Sequence, residues 1–243
     1  NSETKDEAKP SLKAAGGTYQ PLNLNETKEI ADAAIEIMCT VGFSECPEPV
    51  VQELLKFGCQ KNGDRIHFTN SLINEVLQKI SKFVTLYSRS KKNDLKVGRS
   101  ASFVGTGGAS PYILDIQTDT YRASTLNDLY DSARLCNQLD HIQFFSRSLV
   151  AREIKTPRDL DLNTVFACIL GTQKHIMTSA SEPEHVEEIA EVCYSISGSE
   201  AKFRADPFVS FNINHAIPPL RFHAESFAVM KVDKKICDRS IGT

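Results

Sequence analysis

The sequence predicts an α/β fold, namely a partial (β/α)8 TIM-type barrel preceded by a small helical N-terminal subdomain. Three observations predict it. From Thr125 onward, capped amphipathic helices alternate with β-prone runs at roughly 30 residues per unit, a pattern that implies parallel strands with right-handed crossovers. About four such units are present, whereas a closed barrel takes about 250 residues. The stretch before residue 99 carries helix and hairpin signals instead of this alternation. The spacing taken alone also fits a doubly wound sheet. The chain is therefore divided into a polar tail (1–17), a helical subdomain with short strands (18–98) and the first, truncated part of a barrel (99–243).

Residues 1–17 are polar and aperiodic and read as a mobile tail. Asn23 with Glu26 three positions on is a capping arrangement. Behind it Ile30, Ala33, Ala34, Ile37, Met38 and Val41 recur at helical spacing until Gly42. A second helix is predicted over Pro47–Phe57, ended by Gly58. Asn62-Gly63 marks a hairpin turn between strands at Cys59–Lys61 and Arg65–Phe68. A third helix over Ser71–Ile80 and a strand over Phe83–Tyr87 complete this part.

In the barrel part, strands are predicted at Ser102–Val104 and Tyr112–Ile116, on either side of a glycine cluster. Gln117–Thr120 then turns into a strand at Tyr121–Ala123. Thr125 caps a helix with Asp128 at its third position, and Leu126, Leu129, Tyr130, Ala133 and Cys136 form its apolar face. A strand is predicted over Ile142–Val150. Thr156-Pro157 with Asp159 combines a cap, a proline at the first helical position and an acid in the first turn. The helix that follows is apolar on more than one side (Leu160, Leu162, Val165, Phe166, Ile169), which suits burial between layers. His175–Ser179 reads as a short strand. Ser181 to Glu184 reads as a capping box before the apolar face Val186, Ile189, Ala190 and Cys193. A strand over Phe208–Asn214, a helix over Phe222–Met230 and a strand over Lys235–Ile241 end the chain.

Composition bounds the function. With 41% hydrophobic residues the chain can build a sizeable core. A net charge of −3 argues against a general nucleic-acid binder. No apolar run approaches the roughly 18 residues of a membrane span, and the first stretch is polar, unlike a signal peptide. The seven cysteines are odd in number and form no C-x-x-C pair, so they read as reduced, buried thiols of a cytoplasmic protein. The chain begins at Asn1 and stops within a strand-like run, so it reads as a fragment. An open part-barrel exposes strand edges and apolar helix faces, which favours pairing into a homo-oligomer.

The segment with the most chemical character is Val104-Gly105-Thr106-Gly107-Gly108-Ala109-Ser110-Pro111-Tyr112-Ile113-Leu114-Asp115. A dinucleotide fingerprint needs G-x-G-x-x-G followed by a helix. Here Gly107 is followed directly by Gly108, and Pro111 and a β-prone run come next, so no helix opens. No Gly-Lys-Ser/Thr is present, which excludes a P-loop. Two readings remain: a glycine turn between strands, or bare backbone that lets a bulky ligand come close. Farther on, a strand runs into Asn212, Asn214 and His215. The two asparagines share one side of it, as ligand contacts or as a polar layer. Arg147 and Arg152 flank the Ile142 strand as candidates for an anion or for ordinary ion pairs. The six histidines are scattered without a zinc motif, so no metal site is expected. Lys174 precedes a strand instead of ending one, which disfavours a Schiff-base enzyme.

Several segments together resemble the trimethylamine methyltransferase family of corrinoid-dependent methyltransferases. They are Gly16-Gly17-Thr18-Tyr19-Gln20-Pro21-Leu22, Val41-Gly42-Phe43, Leu54 to Cys59 with Asp64-Arg65-Ile66, Phe83 to Arg89, Gly105 to Asp115, Thr125 to Leu129 and Asn214 to Phe222. The resemblance covers about 18–230 in the same order; the run from Val232 to Ser240 fits it less well. It implies a barrel enzyme that moves a methyl group from a tertiary or quaternary amine, such as trimethylamine or glycine betaine, to cobalt in a separate corrinoid protein. No cofactor would be bound in this chain, since the cobalamin belongs to the partner. Some members use pyrrolysine; the position that discriminates lies beyond Thr243. With the resemblance, Gly105, Gly107, Gly108, Tyr112, Asp115, Asn212, Asn214 and His215 are candidates for a substrate-binding or corrinoid-facing role, Tyr112 and Asp115 being alternatively strand-core and turn residues, and the catalytic residues are unknown. Another barrel enzyme, or a catalytically inactive remnant, are the competing readings.

Overall fold

The computed structural model describes residues 19–98, 101–214 and 216–237. The helix starts follow their local signals. Helix α1 (Leu24–Thr40) begins at a complete Asn23–Glu26 capping box. Helices α2 (Glu48–Lys56) and α3 (Asn70–Lys79) flank a hairpin of β1 (Gln60–Asn62) and β2 (Arg65–His67). The turn of that hairpin is Gly63-Asp64, one residue later than Asn62-Gly63, because Asn62 still pairs with Arg65. Strand β3 (Val84–Leu86) pairs antiparallel with β4 (Leu95–Val97), a strand the sequence does not signal. The small core here is Val51, Cys59 and Ile66. No residue of α1 is buried among the described residues: Ile30, Ile37 and Val41 of its apolar stripe are exposed and Met38 is half-buried.

Strands β5 (Tyr112–Asp115) and β6 (Thr120–Ala123) form a second hairpin. Helix α4 (Leu126–Gln138) follows from the Thr125–Asp128 capping box and buries Leu129, Ala133 and Cys136. Strand β7 (Phe144–Ser146) is much shorter than the Ile142–Val150 run, since only three residues keep the ladder. Helix α5 (Pro157–Gly171) leads to β8 (His175–Thr178), and α6 (Pro183–Ser197) and α7 (Glu200–Ala205) lead to β9 (Val209–Phe211). The three strands form a parallel sheet in the order β7-β8-β9. A small hairpin of β10 (Ala216–Ile217) and β11 (Arg221–Phe222) precedes α8 (Ala224–Cys237). The fold is thus mixed α/β, with one parallel sheet and several short antiparallel ones.

Register explains where the main core sits. Phe145, Ile176 and Val209 stand in one row across the sheet and are buried. They meet Leu129 and Ala133 of α4, Val165 and Ile169 of α5, and Val186 and Ile189 of α6. The opposite face of the sheet carries Ser146, Met177 and Ser210, one register step on.

Three expectations are corrected. The strand expected over Ser102–Val104 does not form; the segment it leads into makes only isolated bridges, Gly105 to Phe144 of β7 and Ser110 to Leu149 beyond it, and the glycines between them keep no continuous ladder. The expected capping box of Ser181 to Glu184 is absent. Glu182 takes the cap position without a side-chain bond, and the Ser181 N–H donates instead to Asp161 Oδ2 (2.7 Å), which also accepts from His185 Nδ1 (2.8 Å). Lys235–Cys237, expected in a strand, continue α8, and 238–243 lie outside the described residues.

The two parts of the chain meet through Arg65. Its guanidinium donates to the carbonyls of Val41 (2.8 Å), Gly42 (2.8 Å) and Leu220 (3.1 Å). Beside it, Ser44 N–H donates to Leu220 O and Phe222 N–H donates to Ser44 O, and Phe43 stacks on Phe222 at 5.0 Å. The segment after β9 is thereby fixed by residues from the first seventy.

Candidate functional site

Ligands of parallel α/β sheets gather outside the carboxyl ends of the strands. The glycine segment runs beside β7, from its first residue to beyond its carboxyl end. Gln143 N–H donates to Val104 O (2.7 Å), and Gly105 bridges Phe144. Farther along, Ser110 N–H donates to Ser148 O (2.9 Å) and Val150 N–H donates to Ser110 O (3.0 Å). Between these bridges the tie to β7 is a side chain. Thr106 Oγ1 donates to Ser146 O (2.5 Å) and accepts from Ser146 N–H (2.9 Å).

The glycines do two different things. A Cβ on Gly105 would overlap the ring of Phe144, so this glycine serves packing. A Cβ on Gly107 or Gly108 would meet nothing within 4 Å. Gly108 adopts φ +71°, in the left-handed region. Gly107, Gly108 and Ala109 are exposed and make no hydrogen bond among the described residues. They form bare, unpaired backbone at the sheet's edge.

Tyr112 and Asp115 lie on the β5–β6 hairpin with partners of their own. The Arg152 guanidinium sits 5.6 Å from the centre of the Tyr112 ring. Asp115 accepts from the N–H groups of Gln117 (3.0 Å) and Thr118 (3.2 Å) and from Arg122 Nε (3.0 Å). Arg122, with those N–H groups, holds the Asp115 carboxyl below its ordinary range. Arg122 also forks onto both oxygens of Asp128, whose carboxyl it pulls down further. Both residues thus already engage an arginine.

Asn212 and Asn214 follow β9. Phe211 and Ile213 pack onto the helix-side core, so the asparagines project from the other face. Both are exposed, and their carboxamides make no hydrogen bond among the described residues. His215 lies outside the described residues. The glycine segment and β9 are separated by three strand spacings, roughly 14 Å. The glycine segment thus flanks β7, with Gly105 level with its first residue and Gly107 and Gly108 farther towards its carboxyl end, while Asn212 and Asn214 follow β9 on the other side of the sheet and Tyr112 and Asp115 lie on the β5–β6 hairpin.

Other polar groups belong to the scaffold. Lys174 is buried, and its ammonium donates to the carbonyls of Cys136 (2.6 Å), Leu139 (2.7 Å) and Ile142 (2.5 Å) at the end of α4. Burial pulls its pKa below the ordinary lysine value. Burial also pushes the Cys168 thiol up to about 12 and the Cys46 thiol up to about 11, so neither supplies a thiolate near neutral pH. Arg147 is half-buried near Cys168, with its N–H on Met177 O. Among the described residues no group of three or more His, Cys, Asp or Glu side chains is placed to hold a metal ion, and no helix is long and apolar enough to cross a membrane. Sequence reasoning missed Thr106, since its partner lies forty residues away and a Gly-Thr-Gly run gives no sign of it.

The family described as trimethylamine methyltransferase (MTTB) matches residues 1–237, nearly the whole chain. The chain belongs to that family. The chain is 20% identical to a glycine betaine methyltransferase of Desulfitobacterium hafniense (strain Y51) over 204 residues, covering 84% of this chain and 42% of the relative. It is 25% identical to the trimethylamine methyltransferase MttB of Desulfitobacterium hafniense (strain DSM 10664 / DCB-2) over 144 residues, 58% of this chain and 28% of that one. It is 24% identical to the trimethylamine methyltransferase MttB1 of Methanosarcina mazei over 193 residues, 76% and 39%. The chain spans less than half the length of each of these relatives.

Proposed function

We propose that this MTTB-family chain is part of an amine methyltransferase that moves a methyl group from a tertiary or quaternary amine to the cobalt of a separate corrinoid protein. The observation that carries the reading is the family match along 1–237, with relatives named for trimethylamine and for glycine betaine. In this reading the parallel β7-β8-β9 sheet is the start of a (β/α)8 barrel, residues 18–98 are a subdomain docked on it, and the protein acts in the cytoplasm. The sequential strand order supports the barrel, as do α4, α5 and α6 sharing one core with the sheet.

The chemistry asks little covalent work of the protein. A quaternary ammonium has neither lone pair nor N–H, so it is held by aromatic faces, carboxylates and shape. The corrinoid supplies the cobalt that accepts the methyl group. The protein's part is to orient the amine and exclude water around it. Gly107 and Gly108 fit the approach of a large flat ring, because no side chain rises from them and their backbone is unpaired. Asn212 and Asn214, whose carboxamides make no hydrogen bond among the described residues, stand after β9 on the other side of the sheet. Tyr112 and Asp115 already engage Arg152 and Arg122. The uncovered faces of α1 and of the β5–β6 hairpin support assembly with a second copy.

The test is methyl transfer from glycine betaine and from trimethylamine to free cob(I)alamin, assayed with this chain and with the longest natural product of the same reading frame. Transfer by either supports the proposal. Absence of transfer from any methylated amine by the longer product rejects it, and transfer by the longer product alone assigns the activity to residues beyond this chain.

A further inference from the structure

We propose that Thr106 is the positioning residue of the glycine surface. Its hydroxyl takes the place of a strand ladder and holds Gly107–Ala109 open at the sheet's edge. The N–H and C=O of Ser146 point to the neighbouring segment, where a regular parallel strand would supply backbone partners. Both groups go instead to one atom, Thr106 Oγ1, which accepts from the N–H at 2.9 Å and donates to the C=O at 2.5 Å. A hydroxyl can do both, since it carries one donor and two acceptor sites.

The consequence lies in the next three residues. Backbone pairing resumes at Ser110, with the segment after β7, through Ser148 O and the Val150 N–H. Among the described residues Gly107, Gly108 and Ala109 are left without hydrogen-bond partners, and they are exposed. Were the ladder made of backbone, these groups would be turned towards β7. Threonine is suited to the role because its branched Cβ restricts χ1 and keeps the hydroxyl aimed. Gly105, beneath the Phe144 ring, fixes the approach on one side, and Ser110 fixes it on the other. The identity of what approaches rests on the corrinoid reading; the role of the hydroxyl does not.

Thr106→Val keeps the shape and removes the hydroxyl, and Thr106→Ser keeps the hydroxyl. Hydrogen exchange resolved to single amides reads the tether directly at the Ser146 N–H, with the Ile176 N–H as the control for global stability. The Val variant is expected to exchange at Ser146 roughly ten- to a hundred-fold faster with Ile176 unchanged, and the Ser variant to stay near the parent. Unchanged Ser146 exchange in the Val variant overturns the positioning role, as does equal acceleration at Ile176. Titration with hydroxocobalamin, followed by absorbance, separates the two layers. Binding by the parent and Ser proteins, weakened in the Val protein, supports both. No binding by any of the three, with the exchange pattern as expected, keeps the positioning role and counts against this surface as the place of corrinoid approach.

Discussion

His175 Nε2 lies 2.9 Å from Ser210 Oγ, and its Nδ1 lies 2.6 Å from the Tyr87 carbonyl. A carbonyl only accepts, so Nδ1 carries the proton and Ser210 donates to Nε2. One buried, neutral imidazole thus joins β8, β9 and the segment after β3. Burial holds its pKa below the ordinary 6.5, so acid is bound first by the unfolded chain. The stabilisation is complete above about pH 6.5 and is lost as the pH falls below it. Urea unfolding at a series of pH values is expected to show that loss, and His175→Gln to flatten it. An identical pH profile in the variant would exclude His175 as the source.

The two kinds of glycine separate on substitution. Gly105→Ala is expected to destabilise by about 1–3 kcal/mol, since its Cβ would overlap the Phe144 ring. Gly107→Ala, with open space around it, is expected to stay within about 0.5 kcal/mol of the parent. Chemical denaturation of both variants checks this, and equal losses would contradict it.

Lys174→Met removes an ammonium from three carbonyls at the end of α4. The expected loss is about 2–3 kcal/mol in urea unfolding, because the carbonyls of Cys136, Leu139 and Ile142 lose a charged donor at a buried site. No loss would mean that water replaces the ammonium there.

Arg65→Ala breaks the contact between the first seventy residues and the turn at Leu220. Hydrogen exchange at the Ser44 and Phe222 N–H groups is expected to accelerate, while the Ile176 N–H in the central strand is unaffected. Uniform acceleration would instead make Arg65 part of the global fold.

What the sequence revealed and what it hid divide along one physical line. Asn23–Glu26, Thr125–Asp128 and Thr156-Pro157 each announce a helix start because cap and partner lie within four residues. The buried faces of α4 and α6 were legible because their period is local. Ser181 gave a false capping box because its N–H goes to Asp161, twenty residues back. The missing strand before the glycines and the short β7 depend on partners distant in the chain, whereas β4 pairs with the nearby β3 across a segment that carries no hairpin turn signal. The apolar stripe of α1 predicts a helix but says nothing of what covers it. The same limit applied at the site: the glycine cluster was visible, but its division into a packing glycine and an open pair needed Phe144 and Ser146.

The most direct test of the account is the rate of methyl transfer to cob(I)alamin by the longer natural product carrying Gly107→Leu. A Cβ at Gly107 meets nothing within 4 Å, and with folding of the variant checked by its urea-unfolding midpoint, a loss of rate reports on approach. The account predicts an unchanged KM for the methylated amine and a transfer rate reduced at least about tenfold, as misplacement near a reacting centre produces. An unchanged transfer rate in a folded variant would contradict it.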